Sequence, residues 1–189
     1  VKRGKLNGER ESAEIGPREE ILLTGLKPRD GDSLNEGLAP GSGDCFKGRR
    51  MHEGSITINV AADVREIERL NKLVRQFGEL HDVPSRSLYA VNLALDELVT
   101  NVILYGFDAA EGKHVVVKIH TTAGELTASV IDEGKAFDPL QSKTPDINAP
   151  LEERDLGGLG IHLVRSLMDN VSYQRDGDKN VLTVRKRIR

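Results

Sequence analysis

From Ser55 onward the chain alternates: in Ser-Ile-Thr-Ile-Asn-Val-Ala every second side chain is aliphatic, which predicts a strand with one buried face. Asp63 is placed to cap the next element, in which Val64, Ile67, Leu70, Leu73, Val74 and Phe77 recur at helical spacing. That amphipathic helix ends near Gly78 to His81. A second helix opens at Pro84 or Ser85, carries Leu88, Val91, Leu95, Leu98, Val99 and Val102 on one side, and runs out near Tyr105 and Gly106.

Two short strands follow, Val115 to His120 and Leu126 to Ile131, around a turn at Ala123, Gly124 and Glu125. From Lys135 to about Asp155 the period dissolves, and prolines at 139, 145 and 150 mark a long loop. Loops beyond ~12 to 15 residues are mostly functional lids or disordered segments. A glycine cluster then leads into a helix from about Gly160 to Met168. The last two strands, Val171 to Arg175 and Asn180 to Ile188, are joined by the turn sequence DGDK. Together these elements predict an α/β fold: a two-layer sandwich of a mixed, mostly antiparallel sheet with helices on one face.

Residues 1–50 behave differently. They hold many glycines, several prolines and no sustained period, and GLAPGSGD at 37–44 reads as flexible linker. ILLTGL at 21–26 is the one apolar cluster there. The expected organisation is a disordered N-terminal extension over 1–50 and a folded domain over 51–189. The change of character at Met51 leaves two readings, a biological start at Met51 or a genuine disordered arm or tail of an upstream domain before it, which mass spectrometry of the native N-terminus would separate.

Composition narrows the class. Aromatic residues make up 4% and tryptophan is absent, so the core must be mainly aliphatic. The single cysteine, Cys45, excludes an internal disulfide and fits a reducing cytosol. Net charge is -3, which gives no nucleic-acid footprint. The basic run Arg185, Lys186, Arg187 and Arg189 is expected to be a solvated edge strand. No apolar run approaches the ~18 to 20 residues of a membrane span, and VKRGKLNGER lacks a signal core. A soluble cytoplasmic protein without membrane or nucleic-acid contacts is expected.

Three segments carry candidate chemistry. In LALDELVTNVILYG, Glu97 and Asn101 stand four apart and share one helix face. Asp96, one residue away, points ~100° off and is expected to face solvent. In VIDEGKAFDP, a strand delivers Asp132 directly to Gly134, where the backbone can approach a ligand and the carboxylate can accept from the amino group of a base. In DLGGLGIHLVRSLMD, Gly157, Gly158 and Gly160 precede an apolar helix, offering amide donors and a positive dipole end to phosphates. No Gly-Lys-Ser/Thr follows, so this is not a P-loop. No strand leads directly into it, so it is not a dinucleotide fingerprint.

An acid-x3-Asn helix, a hairpin ending in Asp-x-Gly, a long lid and a glycine-rich helix start resemble, in this order, the GHKL (Bergerat-fold) ATPases. DELVTN and GGLGIHLVRSLMDNV are most similar to the anti-sigma-factor serine kinases within that superfamily. The resemblance spans about Ser55 to Ile188. It implies ATP and Mg2+ as cofactors, with Glu97 as general base toward a partner's serine and Asn101 as metal ligand. It further implies Asp132, beside Gly134, as reader of the adenine amino group, and Gly157, Gly158, Leu159 and Gly160 as the phosphate wrap. Thr183 matches the family's threonine near adenine. Implied partners are an anti-anti-sigma (STAS-type) protein, a sigma factor and a second copy of the chain. Tyr105 and Gly106 occupy the region where related kinases often carry a histidine, and Arg154 is the nearest counterpart of the family's lid arginine. A non-catalytic nucleotide-gated switch is the alternative. A histidine-kinase catalytic domain would need an upstream phospho-accepting histidine, and residues 1–50 contain none.

Overall fold

A computed structural model describes the backbone of residues 22–24 together with residues 52–141 and 158–188. Strand β1 (Leu22–Thr24) precedes β2 (Gly54–Ala61), helices α1 (Glu66–Leu80) and α2 (Ser85–Asn101), the hairpin β3 (His114–Thr121) and β4 (Glu125–Asp132), helix α3 (Leu159–Leu167), and the hairpin β5 (Asn170–Asp176) and β6 (Lys179–Arg187). The six strands run in the order β1-β2-β3-β4-β6-β5. The strand β1 lies within the stretch where the sequence shows no period; it pairs with β2 at Leu23↔Ile56.

Every paired strand is antiparallel. The two-layer class stands, and the expected mixed sheet resolves into a wholly antiparallel one. The helix pair α1–α2 leaves β2 and returns to the same end, so β3 starts opposite the end of β2 at Ala61↔His114. β4 and β5 point the same way across α3, but β6 inserts between them and removes the one possible parallel pair. The basic run 185–187 therefore lies on an interior strand. Arg185 faces Glu125 at 3.7 Å and the Lys186 ammonium donates to the Leu167 carbonyl at 2.6 Å.

Period-two alternation sorts the sheet. Ile56, Ile58 and Val60 on β2, Val115, Val117 and Ile119 on β3, Leu126, Ala128 and Val130 on β4, and Leu182 and Val184 on β6 are buried on the helix side. Leu70, Val74 and Phe77 of α1, Val91, Leu95 and Val99 of α2, and Val164 of α3 close over them. Truncating a fully buried member such as Leu95 to alanine costs ~2–5 kcal/mol. Asp63 accepts from the Arg65 amide at 2.9 Å and pairs with its guanidinium, an Asx-type turn before α1 in place of the expected cap.

α2 does not stop at Asn101. It widens into a π-helical turn, Val102–Gly106, a geometry that recurs at functional sites. Ser85–Gly106 thus forms 22 helical residues, apolar and long enough to cross a membrane by length and composition. Sequence scanning misses this run because polar residues interrupt it. Ala90, Val91, Ala94, Leu95, Leu98, Val99 and Ile103 are buried in the core, and Glu97 and Asn101 line a cavity.

Candidate nucleotide site

Between the far end of α2, the start of α3 and the ends of β4, β5 and β6 lies a cavity of about 790 Å³, within the range of small-molecule sites. Glu97 and Asn101 line it from α2, as their spacing predicts. Gly158, Leu159 and Gly160 line it from the start of α3, close beside them, and Asp132 lines it from the end of β4. Gly157 and Arg154 fall outside the described residues.

The start of α3 is built on two glycines with different tasks. Gly158 is the N-cap at φ 88°, a left-handed conformation that a side chain resists. Among the described residues no side chain caps this end, and its first-turn amides lie beside the cavity, where they could donate to a ligand. Gly160 is fitted to Glu97: a Cβ there would stand 2.5 Å from the carboxylate Oε2 and 3.7 Å from the Asn101 amide nitrogen.

Gly134 is required by protein packing. A Cβ on it would collide with the Gly106 carbonyl at the end of the π turn. The Lys135 amide donates to that same carbonyl at 2.8 Å, stitching the loop after β4 to the end of α2. Leu98, Val102, Val130, Ile161 and Leu182 supply apolar walls.

Asp96 corrects one expectation. It faces α1, not solvent: Asn71 donates to its Oδ2 at 3.3 Å, and its Oδ1 is buried with no hydrogen-bond partner among the described residues. Burial pushes its carboxyl above the ordinary range, Asn71 opposes this, and the neighbouring Glu97 adds to it. Glu97 is thus the carboxylate of the pair that reaches the cavity.

Thr183 corrects another. It sits on the sheet face away from the helices, its hydroxyl 2.9 Å from that of Ser129, and does not line the cavity. The residues in phase with the buried face of β6 are Asn180, Leu182 and Val184. Asn180 is the functional candidate that sequence reading missed: it is 7% exposed and donates to Asp132 Oδ1 at 2.8 Å. Alternation from Val184 backward would have found it, since Asn180 shares that parity and Thr183 does not.

A twisted antiparallel sheet under three helices, with a cavity edged by an acid-x3-Asn helix, an aspartate at a strand end and a glycine-opened helix, defines a nucleotide-binding ATPase-type domain. Residues 60–186 match the family described as the histidine kinase-like ATPase domain, and the chain belongs to that family. ATP is the nucleotide such a domain uses. The chain is 29% identical over 100 residues to the serine/threonine-protein kinase BtrW of Bordetella bronchiseptica, covering 53% of this chain and 70% of that protein. It is 22% identical over 142 residues to an anti-sigma F factor of Clostridium perfringens, covering 75% and 91% respectively. Among solved structures, the RsbU and RsbW domains of a Mycobacterium tuberculosis protein share the fold at a TM-score of 0.53 and 17% identity, over 71% of this chain and 32% of that one.

Proposed function

We propose that this chain is an ATP-dependent protein serine kinase that phosphorylates an anti-anti-sigma (STAS-type) partner and sequesters a sigma factor when that partner is absent. The observation that carries the reading is that Glu97, Asn101, Asp132 and Gly158 to Gly160, from three separate elements, line one cavity. Similarity to a named serine/threonine kinase and to a named anti-sigma factor supports it.

In this reading the adenine amino group donates to Asp132, and the phosphates lie along the uncapped start of α3. The partner's serine oxygen bonds to the γ-phosphorus, the bond from phosphorus to the bridging oxygen breaks, and ADP leaves. The serine proton passes to the Glu97 carboxylate, which also orients the hydroxyl. Most of the rate comes from such positioning and charge neutralisation. Among the described residues no three His, Cys, Asp or Glu side chains gather as a metal cage. Asn101, which lines the cavity, would hold Mg2+ through its side-chain oxygen, the ion taking its other ligands from phosphate and water, the mode it prefers. When bound there, the ion neutralises phosphate charge.

The catalytic unit is residues 51–189, with 1–50 as an extension. A homodimer in the cytoplasm is the assembly and place in which it works, which sedimentation of the purified protein would test. The deciding experiment incubates the protein with labelled ATP, Mg2+ and the STAS-domain protein encoded nearest to it, beside Glu97→Ala. Serine phosphorylation that vanishes in the variant is the expected result. ATP binding without transfer would replace the kinase by a nucleotide-gated switch.

A further inference from the structure

Beside Asp132, and partly lining the cavity itself through Tyr173 and Asn180, stands a chain of hydrogen bonds whose direction can be assigned from its end members. Arg175 Nη1 lies 2.8 Å from Asn180 Oδ1, and the Tyr173 hydroxyl reaches the same atom at 2.8 Å. A guanidinium only donates, so the amide atom facing it must be the oxygen. On the other side, Asn180 Nδ2 lies 2.9 Å from the Lys135 carbonyl, which only accepts, so that atom must be the nitrogen. The amide orientation is therefore dictated by its partners.

The consequence falls on Asp132. Asn180 Nδ2 donates to its Oδ1 at 2.8 Å, and the Gly134 amide donates to the same oxygen at 2.8 Å. Oδ1 has both acceptor sites engaged. Oδ2 has no hydrogen-bond partner among the described residues, and Asp132 lines the cavity. Arg175 Nη1 also donates to the Gly134 carbonyl at 3.1 Å, so the same guanidinium steadies both donors to Oδ1.

We propose that Tyr173 and Arg175, acting through Asn180, are positioning residues that set purine selectivity by holding Asp132 as a one-oxygen acceptor. This rests on the nucleotide reading of the cavity. A 6-aminopurine offers one N–H donor to a single carboxylate oxygen. A 6-oxopurine offers an acceptor at that position, and its own N1–H and 2-amino donors would engage a carboxylate best through both oxygens, one of which is already consumed. A site that leaves a polar group of the wrong base unpaired rejects that base strongly.

The test is a pair of affinities, ATP and GTP, measured by calorimetry on the full chain and on Asn180→Ala, Tyr173→Phe and Arg175→Gln, each checked for folding by its thermal transition. The expected result is a wild-type preference for ATP that shrinks at least ~10-fold in Asn180→Ala and several-fold in the other two, through lost ATP affinity and gained GTP affinity. Tyr173→Phe removes one hydroxyl and keeps the test available if Asn180→Ala does not fold. Equal weakening of both nucleotides, with the ratio unchanged, would overturn the selectivity role and leave only a structural one. A wild-type protein that binds neither nucleotide would overturn the nucleotide reading itself, and this inference with it.

Discussion

Gly160 and Glu97 are built around each other: the first turn of α3 approaches α2 so closely that a single methyl on Gly160 would stand 2.5 Å from Glu97 Oε2. The carboxylate is the movable end of its side chain, so Gly160→Ala displaces it and leaves the helices in place. Alanine also favours the helix by up to ~1 kcal/mol over glycine. The variant is expected to melt no lower than the wild type, yet to transfer phosphate ~10²-fold more slowly, the usual consequence of a 1 Å misplacement. A thermal melt beside a single-turnover assay separates the two effects. Unchanged transfer would refute the placement of Glu97 at the reacting atoms.

Asp96 is adjacent to Glu97 in sequence and opposite in role. Its folded carboxyl titrates above its unfolded value because burial disfavours the charge. The folded state then binds more protons than the unfolded one between these values, so stability falls as pH rises through that window. Asp96→Asn removes the buried charge and can donate to the unpartnered Asn71 Oδ1. A stabilisation of about 1 kcal/mol at neutral pH, read by urea unfolding, is expected, with phosphotransfer retained. A loss of stability would show that the charge is needed where it lies.

Gly134→Ala sets a methyl against the Gly106 carbonyl, and both groups are backbone with no rotamer to escape into. Overpacking of this kind costs ~1–3 kcal/mol. It also pulls the Gly134 amide from Asp132, so ATP affinity should fall together with stability. A stable variant with full affinity would mean that the loop after β4 is free to shift.

Thr183→Ala tests which face of β6 carries function. The threonine pairs with Ser129 on the face away from the helices. The expected outcome is unchanged ATP affinity and a stability loss below about 1 kcal/mol from the lost hydroxyl pair. A tenfold loss of affinity would place the base on a different wall.

His81 is 4% exposed, its ring tilted 43° against that of Phe77 with centroids 4.5 Å apart. Burial pushes its imidazole below the ordinary value of 6.5. The unfolded chain then binds the proton more readily, so stability is complete above about pH 6.5 and declines as pH falls toward the folded value. Urea midpoints should drop as pH falls below about 6.5, and His81→Phe should flatten that drop. An unchanged slope would assign it to other groups.

Much of the fold was legible because its signals are local. Alternation in 55–61 and 126–131 and the 3.6-residue period of 64–77 and 88–102 mark elements to within a residue or two of β2, β4, α1 and α2. The pairing of β6 between β4 and β5 was not legible, since strand order is a long-range choice among edges that local patterns leave equal. The site divides the same way. Glu97 and Asn101 follow from helix geometry alone. Asn180 and Thr183 are three apart on one strand and thus on opposite faces, and strand parity had to be anchored to the core to tell which one meets Asp132.

Local spacing along the chain thus fixes the set of elements, the order of the chemical groups along them and the family they belong to. Each of these depends on spacing along the chain, which backbone geometry converts directly into faces. Which groups meet is settled by packing in three dimensions: Gly160 with Glu97, Gly134 with Gly106, Asn71 with Asp96, and Asn180 with Asp132. These contacts join residues 25 to 63 positions apart, and they exist because close packing of α2, α3 and the sheet ends leaves room there for a glycine, or demands a partner for a buried polar atom.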